Sequence, residues 1–172
     1  KIGCRPDKPR EFDAIESRDH PVIIAGFGRV GQVVARILRT QKIPFTALEA
    51  NFEQVDFVRR FGAQIYYGDA SRPEILEAAQ TGKARAFVLA IDDVEASLRT
   101  ARLVRQNYPN VPIYARAHDR RHIHRLMDED RGDRGVDAAR QRADHALLAN
   151  LLADLLDGSA HERCGIPVPR AA

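Results

Sequence analysis

Three glycines at the end of a short apolar run are the clearest chemical signal in the sequence. Gly26, Gly28 and Gly31 follow the apolar residues 22–25 with the spacing G-x-G-x-x-G, and a helical pattern begins at about Arg29. In such a turn the first glycine permits a tight bend, the second lets a phosphate approach the backbone, and the third lets the helix lie close to the strand. Free amides and the positive helix end attract an anion. The pattern therefore predicts a phosphate-binding loop.

An acidic residue closes the next apolar run. Glu49 ends residues 45–49 and stands 18 positions after Gly31. At that place a carboxylate accepts hydrogen bonds from ribose hydroxyls and repels a 2′-phosphate, so we expect adenosine or NAD to be preferred over NADP. The alternative is a glycine-rich turn without a ligand. Because the apolar run, the helical pattern and the acidic residue all have the expected spacing, we favour a binding site over a turn without a ligand.

Further candidates follow the later apolar runs, because ligands of open parallel sheets bind beyond the carboxyl ends of the strands. Asp69 and Asp92 lie in two such turns, and Arg116 follows the last run. Both aspartates have an alternative role in a turn or helix cap, and for Asp92 we favour the cap. Arg29 is either a phosphate clamp or a solvated first-turn residue, and we favour the anion role.

The histidines of residues 116–125 are the candidates for a metal site. His118 and His122 have the i, i+4 spacing of two ligands on one helix face, and His124 is nearby. The neighbouring arginines would repel a cation, and the spacing provides no clear third ligand. We therefore expect no metal here, and an exposed or anion-facing helix face instead.

The elements that must position these residues form an alternating pattern. Five β-branched apolar runs are separated by helical patterns, which predicts an α/β fold with a Rossmann-like, doubly wound parallel sheet. One helix is predicted over 29–40, a capping box with proline in the first turn begins another at Ser71, and a third begins within 92–95. The predicted strands are 22–25, 45–49, 64–67, 86–91 and 113–117.

The alternation ends after Met127. We divide the chain into a linker (1–19), a nucleotide-binding domain (20–128), a divergent segment with a C-terminal helix (129–157) and a disordered tail (158–172). The helix, at about 138–156, carries a leucine stripe that packs either on its own sheet or against a second copy, and both alternatives stay open.

Composition limits the class of protein. The 172 residues suffice for one core, and the longest apolar run, 86–91, is far shorter than the roughly 20 residues of a membrane span. A net charge of +3 argues against a nucleic-acid partner. Cys4 and Cys164 form no paired motif, which fits a reducing compartment. The chain begins at Lys1 without a signal-peptide pattern, so we expect it to be part of a longer polypeptide.

The residues of a nicotinamide enzyme are not apparent. No Tyr-x-x-x-Lys is present, and Lys42 and Lys83 are the only lysines of the predicted domain. A cofactor fold without a proton donor or substrate domain favours a non-enzymatic nucleotide sensor. A small NAD-dependent oxidoreductase, or the cofactor half of one, is the alternative. A dimerisation module with a vestigial pocket is the third.

Four short motifs together make a resemblance to a known family. They are Gly-Phe-Gly-Arg-Val-Gly-Gln at 26–32, Tyr-Gly-Asp-Ala at 67–70, Ala-Ile-Asp-Asp at 90–93 and Ala-Arg-Ala at 115–117. Residues 20–128 resemble the RCK N-terminal (KTN, TrkA-N) regulatory domain, and more narrowly the cytoplasmic domain of the glutathione-regulated potassium-efflux (Kef) family. The resemblance implies a homodimer that binds AMP or NAD(H). It also implies gating of potassium/proton exchange through an attached transporter, at the cytoplasmic side of the bacterial inner membrane.

The resemblance also implies roles for particular residues. Residues 26–31 correspond to the phosphate loop, Glu49 to the ribose contact, and Asp69 and Ala70 to residues near the base. Arg36 matches an arginine near the family's glutathione site, although that site also draws on the segment after Met127, where this chain departs from the family. The predicted nucleotide-binding residues are Gly26, Phe27, Gly28, Arg29, Val30, Gly31, Glu49, Ala50, Asn51, Gly68, Asp69, Ala70, Ala90, Ile91, Asp92 and Arg116.

Overall fold

Five parallel strands form the centre of the protein, in a computed structural model that describes residues 11–15, 20–62, 64–130 and 151. Their order across the sheet is β3-β2-β1-β4-β5. In the central strand, Ile24 is in register with Ala47 on one side and Val88 on the other. This is the doubly wound Rossmann order, so the predicted fold class is confirmed. The strands are Val22–Ala25 (β1), Phe45–Glu49 (β2), Tyr66–Tyr67 (β3), Ala86–Leu89 (β4) and Ile113–Ala115 (β5).

Helices cover both faces of the sheet. One apolar cluster joins Val34 of α1 and Val55 of α2 to the sheet, and the other joins Leu76 of α3, Leu98 of α4 and Leu126 of α5 to the opposite face. The helices are Arg29–Thr40 (α1), Phe52–Arg59 (α2), Pro73–Ala78 (α3), Val94–Asn107 (α4) and Arg120–Asp130 (α5), with a 3-10 turn at Thr81–Lys83.

The central strand explains why its sequence is continuously apolar. Val22 and Ile24 belong to one cluster and Ile23 and Ala25 to the other, and all four residues are fully buried. A parallel strand covered on both faces has no polar side to present to water. The run 22–25 therefore carries no alternation, and it holds the glycine loop on a rigid base.

Three strands end earlier or begin later than the sequence pattern predicts. Of the predicted strand 64–67, only Tyr66–Tyr67 pairs with β2. The carbonyl of Ile65 accepts hydrogen bonds from Arg59 Nη2 and Nε at 2.6 and 3.1 Å. Strands β4 and β5 stop two residues before the predicted ends. At those ends the chain turns to form the edge of the sheet where the functional residues lie.

Two predicted helix caps are wrong. The predicted capping box at Ser71 does not form: Arg72 is the N-cap of α3 without a side-chain hydrogen bond, while the Ser71 amide donates to Asp69 Oδ1 at 2.9 Å. The cap of α4 is Asp93, whose Oδ1 accepts from the Ala96 amide at 2.7 Å. The capping role of Asp92 is therefore wrong, and its carboxylate is available for other contacts.

Residues 11–15, within the predicted linker, lie along the outer edge of β3. The Asp13 amide donates to the Tyr67 carbonyl at 2.9 Å, and Asp13 Oδ2 accepts from the Tyr67 amide at 2.5 Å. The Phe12 ring lies 5.2 Å from the Tyr67 ring. We call residues 11–15 the edge strap, since it completes the hydrogen bonds of an exposed strand edge.

The C-terminal predictions fall largely outside the described residues. Leu151 is fully buried in the cluster that contains α1, so this member of the predicted leucine stripe packs on its own sheet. The rest of the predicted helix 138–156 and the tail 158–172 lie outside the part that the structure describes. Within the described part, no helix has both the length and the apolar character needed to cross a bilayer.

Candidate functional site

The glycine loop between β1 and α1 is shaped by two positions where a side chain cannot fit. Gly26 has a φ of 92°, and a Cβ there would lie 2.7 Å from the carbonyl of Ala90. A Cβ at Gly31 would lie 2.2 Å from the carbonyl oxygen of Gly26. Both contacts are with backbone, which cannot move aside. The first glycine thus allows the turn and the third allows α1 to pack close to the strand.

The amino end of α1 is open toward the turn. Its N-cap, Gly28, makes no side-chain hydrogen bond, and the first turn contains no acidic residue. The first amides of a helix have no partner within the helix, and together with the helix dipole they favour an anion. No residue of the first turn of α1 therefore neutralises these amides, which suit a phosphate.

The carboxylate of Glu49 is fixed beside this loop. Oε2 accepts from the Phe27 amide at 2.7 Å, and Oε1 accepts from the Asn51 amide at 2.8 Å. Gln54 Nε2 donates to the Phe27 carbonyl at 2.5 Å and holds the loop from the other side. A carboxylate has about four lone-pair directions, so two remain for donors such as ribose hydroxyls.

A cleft of about 790 Å³ opens beyond the carboxyl ends of the strands. This lies within the roughly 300–1,000 Å³ that small-molecule sites occupy. Most of the predicted site residues meet there. The predicted residues that line it are Gly26, Gly28, Glu49, Ala50, Asn51, Gly68, Asp69, Ala70, Ala90, Ile91 and Asp92.

Other predicted residues lie outside the cleft wall. Phe27 is buried, and Gly31 packs against the backbone of Gly26. Both residues therefore support the conformation of the loop without lining the cleft. Arg29 and Arg36 are exposed on α1, and the half-buried Val30 packs against the core. The structure brings neither arginine into the cleft. Their anion and regulatory roles stay predictions.

A carboxylate and a guanidinium from neighbouring strand ends form an ion pair at the edge of the cleft, which Asp92 lines and Arg116 does not. Arg116 Nη1 donates to Asp92 Oδ1, and His118 Nε2 lies 3.9 Å from the same oxygen. The Arg116 side chain is 12% exposed and that of Asp92 is 63% exposed. Asp92 Oδ2 lies 3.0 Å from the position that a Cβ at Gly28 would take. The ion pair therefore stands directly beside the glycine loop.

The two histidines beyond this pair stack on each other. Their rings are 5.8 Å apart and 10° from parallel, and His122 Nδ1 accepts from the His118 amide at 3.3 Å. Burial, followed by the charge of His118, lowers the pKa of His122 below its usual value. Among the described residues, no three His, Cys, Asp or Glu side chains form a group that could hold a metal ion.

Several residues of the cleft were not predicted from the sequence. The most prominent is Tyr67, whose ring is nearly perpendicular to the Phe52 ring, with 5.7 Å between the ring centres. Phe52, Glu53 and Gln54 follow Asn51 at the start of α2 and complete that wall. Tyr67 directly precedes the Gly-Asp-Ala turn, which is a signal that could have found it. The α2 residues carry no such signal.

Comparison with models of known protein families shows which family the chain belongs to. The TrkA-N domain model matches residues 22–139, which is more than half of the chain. The chain belongs to the TrkA-N domain family. This confirms the resemblance drawn from the four motifs, and it does not favour the oxidoreductase alternative.

Curated proteins that are similar to the chain include potassium-efflux proteins. The chain is 41% identical over 117 residues to the glutathione-regulated potassium-efflux system protein KefC of Cronobacter sakazakii, and 38% identical over 120 residues to that of Escherichia coli. These matches cover 68% and 70% of this chain, but 19% of each relative. The chain thus corresponds to a small part of those proteins.

Solved structures show the same architecture. The Kef C-terminal domain of Shewanella denitrificans, in its AMP-bound form, is 30% identical with a TM-score of 0.56, covering 82% of this chain and 96% of that one. The TrkA-N domain of the Escherichia coli inner membrane protein ybaL is 23% identical with a TM-score of 0.59, and the match covers 80% of this chain and 96% of that one. At its lower identity the second match supports the fold alone.

Proposed function

We propose that this TrkA-N domain is the nucleotide-sensing regulatory part of a potassium efflux antiporter, and that its ligand is AMP or NAD(H). The similarity to KefC proteins supports the transport role, and the AMP-bound Kef domain supports the ligand class. The domain acts by binding rather than catalysis. Transport itself belongs to the part of the relatives that this chain does not span.

The observation that carries the proposal is the position of Glu49 beside the glycine loop. Its carboxylate is held by the Phe27 and Asn51 amides and faces the same cleft as Gly28. A ligand with a phosphate at α1 and a ribose at Glu49 satisfies both ends of the cleft. The same carboxylate disfavours a phosphate on the ribose 2′ oxygen, so NADP is a poor ligand.

Regulation requires that the ligand distinguish two arrangements of the protein. A nucleotide shifts an equilibrium only by its difference in affinity for the two states. We infer that the domain forms a homodimer attached to a membrane transporter, at the cytoplasmic face of the bacterial inner membrane. Nucleotide binding then favours one dimer arrangement, and sedimentation with and without AMP reports the dimer.

Gly28 offers the sharpest test of nucleotide binding. Its φ is −68°, and a Cβ there meets only the exposed Asp92 side chain, so a larger residue is tolerated by the fold but fills the phosphate position. We expect the wild-type chain to bind AMP with micromolar affinity in titration calorimetry and Gly28→Val to bind none.

The matched control is Gly82→Val, in the 3-10 turn. A Cβ at Gly82 makes an ordinary 3.4 Å contact with Tyr108, outside the cleft, so AMP affinity is expected to stay within about twofold of wild type. A folded wild-type chain that binds neither AMP nor NAD(H) contradicts the proposed function.

A further inference from the structure

The carboxylate of Asp92 lies beside the loop glycine at which the phosphate of the proposed ligand would bind. Its Oδ2 lies 3.0 Å from the Cβ position at Gly28, the glycine whose bare backbone faces the cleft. It does not cap α4, since Asp93 has that role. An anionic group therefore already stands at the open amino end of α1, where the free amides favour negative charge.

Arg116 holds this carboxylate in place. The guanidinium donates to Asp92 Oδ1 through Nη1, while its Nε is buried without a hydrogen-bond acceptor among the described residues. A guanidinium presents five donors and matches phosphate as well as carboxylate geometry. One oxygen of a single carboxylate therefore leaves most of the binding capacity of Arg116 unused.

We propose that Asp92 is a built-in competitor for the phosphate of the ligand, and that binding of a nucleotide phosphate transfers Arg116 from Asp92 to the ligand. This inference rests on the proposed function, because it concerns the same cleft. Asp92 is mostly exposed and can swing toward solvent, whereas Arg116 is mostly buried and stays at the end of β5. In the exchange, the carboxylate therefore moves away while the guanidinium stays in place.

Charge decides the direction of the exchange. A phosphate monoester carries about 1.5 to 2 negative charges at neutral pH and offers three acceptor oxygens, against one charge and two oxygens for the carboxylate. The phosphate therefore forms the stronger contact with Arg116 and the helix amides. A nucleoside without phosphate gains nothing from displacing Asp92, so the competitor selects ligands by their phosphate.

The exchange also connects ligand binding in the cleft to helix α5. His118 lies 3.9 Å from Asp92 and stacks on His122 of α5. Release of Asp92 from Arg116 changes the charge that faces His118, and hence the contacts at the start of α5. A phosphorylated ligand produces this change, whereas the nucleoside does not.

The test compares AMP with adenosine by titration calorimetry on the wild-type chain and on Asp92→Asn. The amide keeps the shape but removes the competing charge and frees Arg116. We expect AMP to bind about tenfold more tightly to Asp92→Asn, and adenosine to bind within about twofold of wild type. The control Glu74→Gln removes one negative charge at an exposed site outside the cleft and leaves both affinities unchanged.

A second pair of variants tests the other half of the exchange. Arg116→Gln removes the shared donor, so AMP binding weakens by about tenfold or more while adenosine binding is kept, and Arg116→Lys recovers part of the AMP affinity. Thermal unfolding of each variant shows that the fold is intact. If Arg116→Gln destabilises the chain, the test uses Arg116→Lys alone, which must weaken the binding of AMP while the affinity for adenosine is unchanged.

The outcomes separate the two proposals. If AMP binds the wild type but Asp92→Asn binds it equally well or more weakly, the competitor is excluded and nucleotide binding stands. If adenosine tightens as much as AMP, the effect of Asp92 is not on the phosphate, and the inference is again wrong. If neither the wild type nor Asp92→Asn binds AMP, the inference fails. The proposed function fails with it only if NAD(H) does not bind either.

Discussion

His122 is a titratable side chain that the fold buries almost completely. Its Nδ1 accepts a backbone hydrogen bond, and its Nε2 is buried without a partner among the described residues. Neutral imidazole suits this environment, because a second proton would add charge beside His118 and Arg125. The favourable charges of Asp119 and Glu95 do not outweigh burial, so the pKa is lowered in the native state.

The lowered pKa of His122 predicts that stability falls in mild acid. The unfolded chain takes up a proton near the usual histidine pKa of about 6.5, and the native chain does so only at lower pH, so the unfolding free energy declines below that value. Urea unfolding at about pH 7.5 and pH 5.5 should show a smaller loss for His122→Gln than for wild type.

The control for this pH effect is His124→Gln, on the same helix. His124 is exposed, so its replacement should keep the wild-type decline. A hydrogen bond from the Arg125 side chain lowers the pKa of Glu95, and a hydrogen bond from the His122 amide lowers the pKa of Asp119. Both carboxylates therefore titrate in more acidic solution than the pH range of this test. An equal decline in wild type and His122→Gln would contradict the argument.

At the level of single residues, the sequence predicts what depends on local spacing. The glycines of the loop and the position of Glu49 are set within one strand–helix–strand unit, so their pattern is visible in the chain. The partner of Asp92 is 24 residues away, and its choice between capping α4 and pairing with Arg116 depends on the ends of β4 and β5. Adjacent Asp92 and Asp93 have the same cap propensity, so local chemistry could not separate them.

The edge strap is the element whose role the sequence does not reveal. Asp13 joins it to β3 by a backbone hydrogen bond and by a carboxylate that accepts from both the Tyr67 amide and Arg59 Nη2, each at 2.5 Å. Arg72 lies 5.0 Å above the Phe12 ring. Because Tyr67 also lines the cleft, the strap is joined directly to one wall of the cleft.

Removing the Asp13 carboxylate should loosen this edge of the sheet. In Asp13→Ala the Tyr67 amide loses its acceptor, so we expect its hydrogen exchange to accelerate by about tenfold, with a loss of about 1–3 kcal/mol in unfolding free energy. Glu11→Ala, an exposed residue of the same strap, should change neither quantity. Unchanged exchange at Tyr67 in Asp13→Ala would show that the strap does not protect β3.

The elements differ in how visible they are in the sequence. Helix α1 has the predicted bounds of 29–40, because its valine and leucine stripe has clear helical spacing and a glycine turn marks its start. Helix α2 is not predicted from the sequence, since Phe57 within it and Phe61 just beyond it are apolar but exposed, which obscures the helical pattern. Strand β3 is shorter than predicted, since only Tyr66 and Tyr67 pair with β2. The apolar pattern of the sequence does not show where this pairing stops.

At the scale of the whole molecule, the strand order creates the site. The chain runs from β1 outward to β3 and then returns to β4 on the other side of β1, so the connections leave β1 and β4 in opposite directions. A crevice opens at that switch point, beyond the carboxyl ends of the strands. The glycine loop, Glu49 at the end of β2 and Asp92 beyond the end of β4 all line it.

Because the cleft draws residues from four of the five strand ends, AMP should stabilise the whole fold. A ligand that binds only the native state adds about 2.7 kcal/mol at a concentration of 100 times its Kd. For a chain of this size each kcal/mol raises Tm by about 2–4 °C, so we expect a rise of about 5–10 °C. Thermal unfolding followed by circular dichroism measures it, and Gly28→Val should show no rise. An equal rise in that variant would place AMP elsewhere on the molecule.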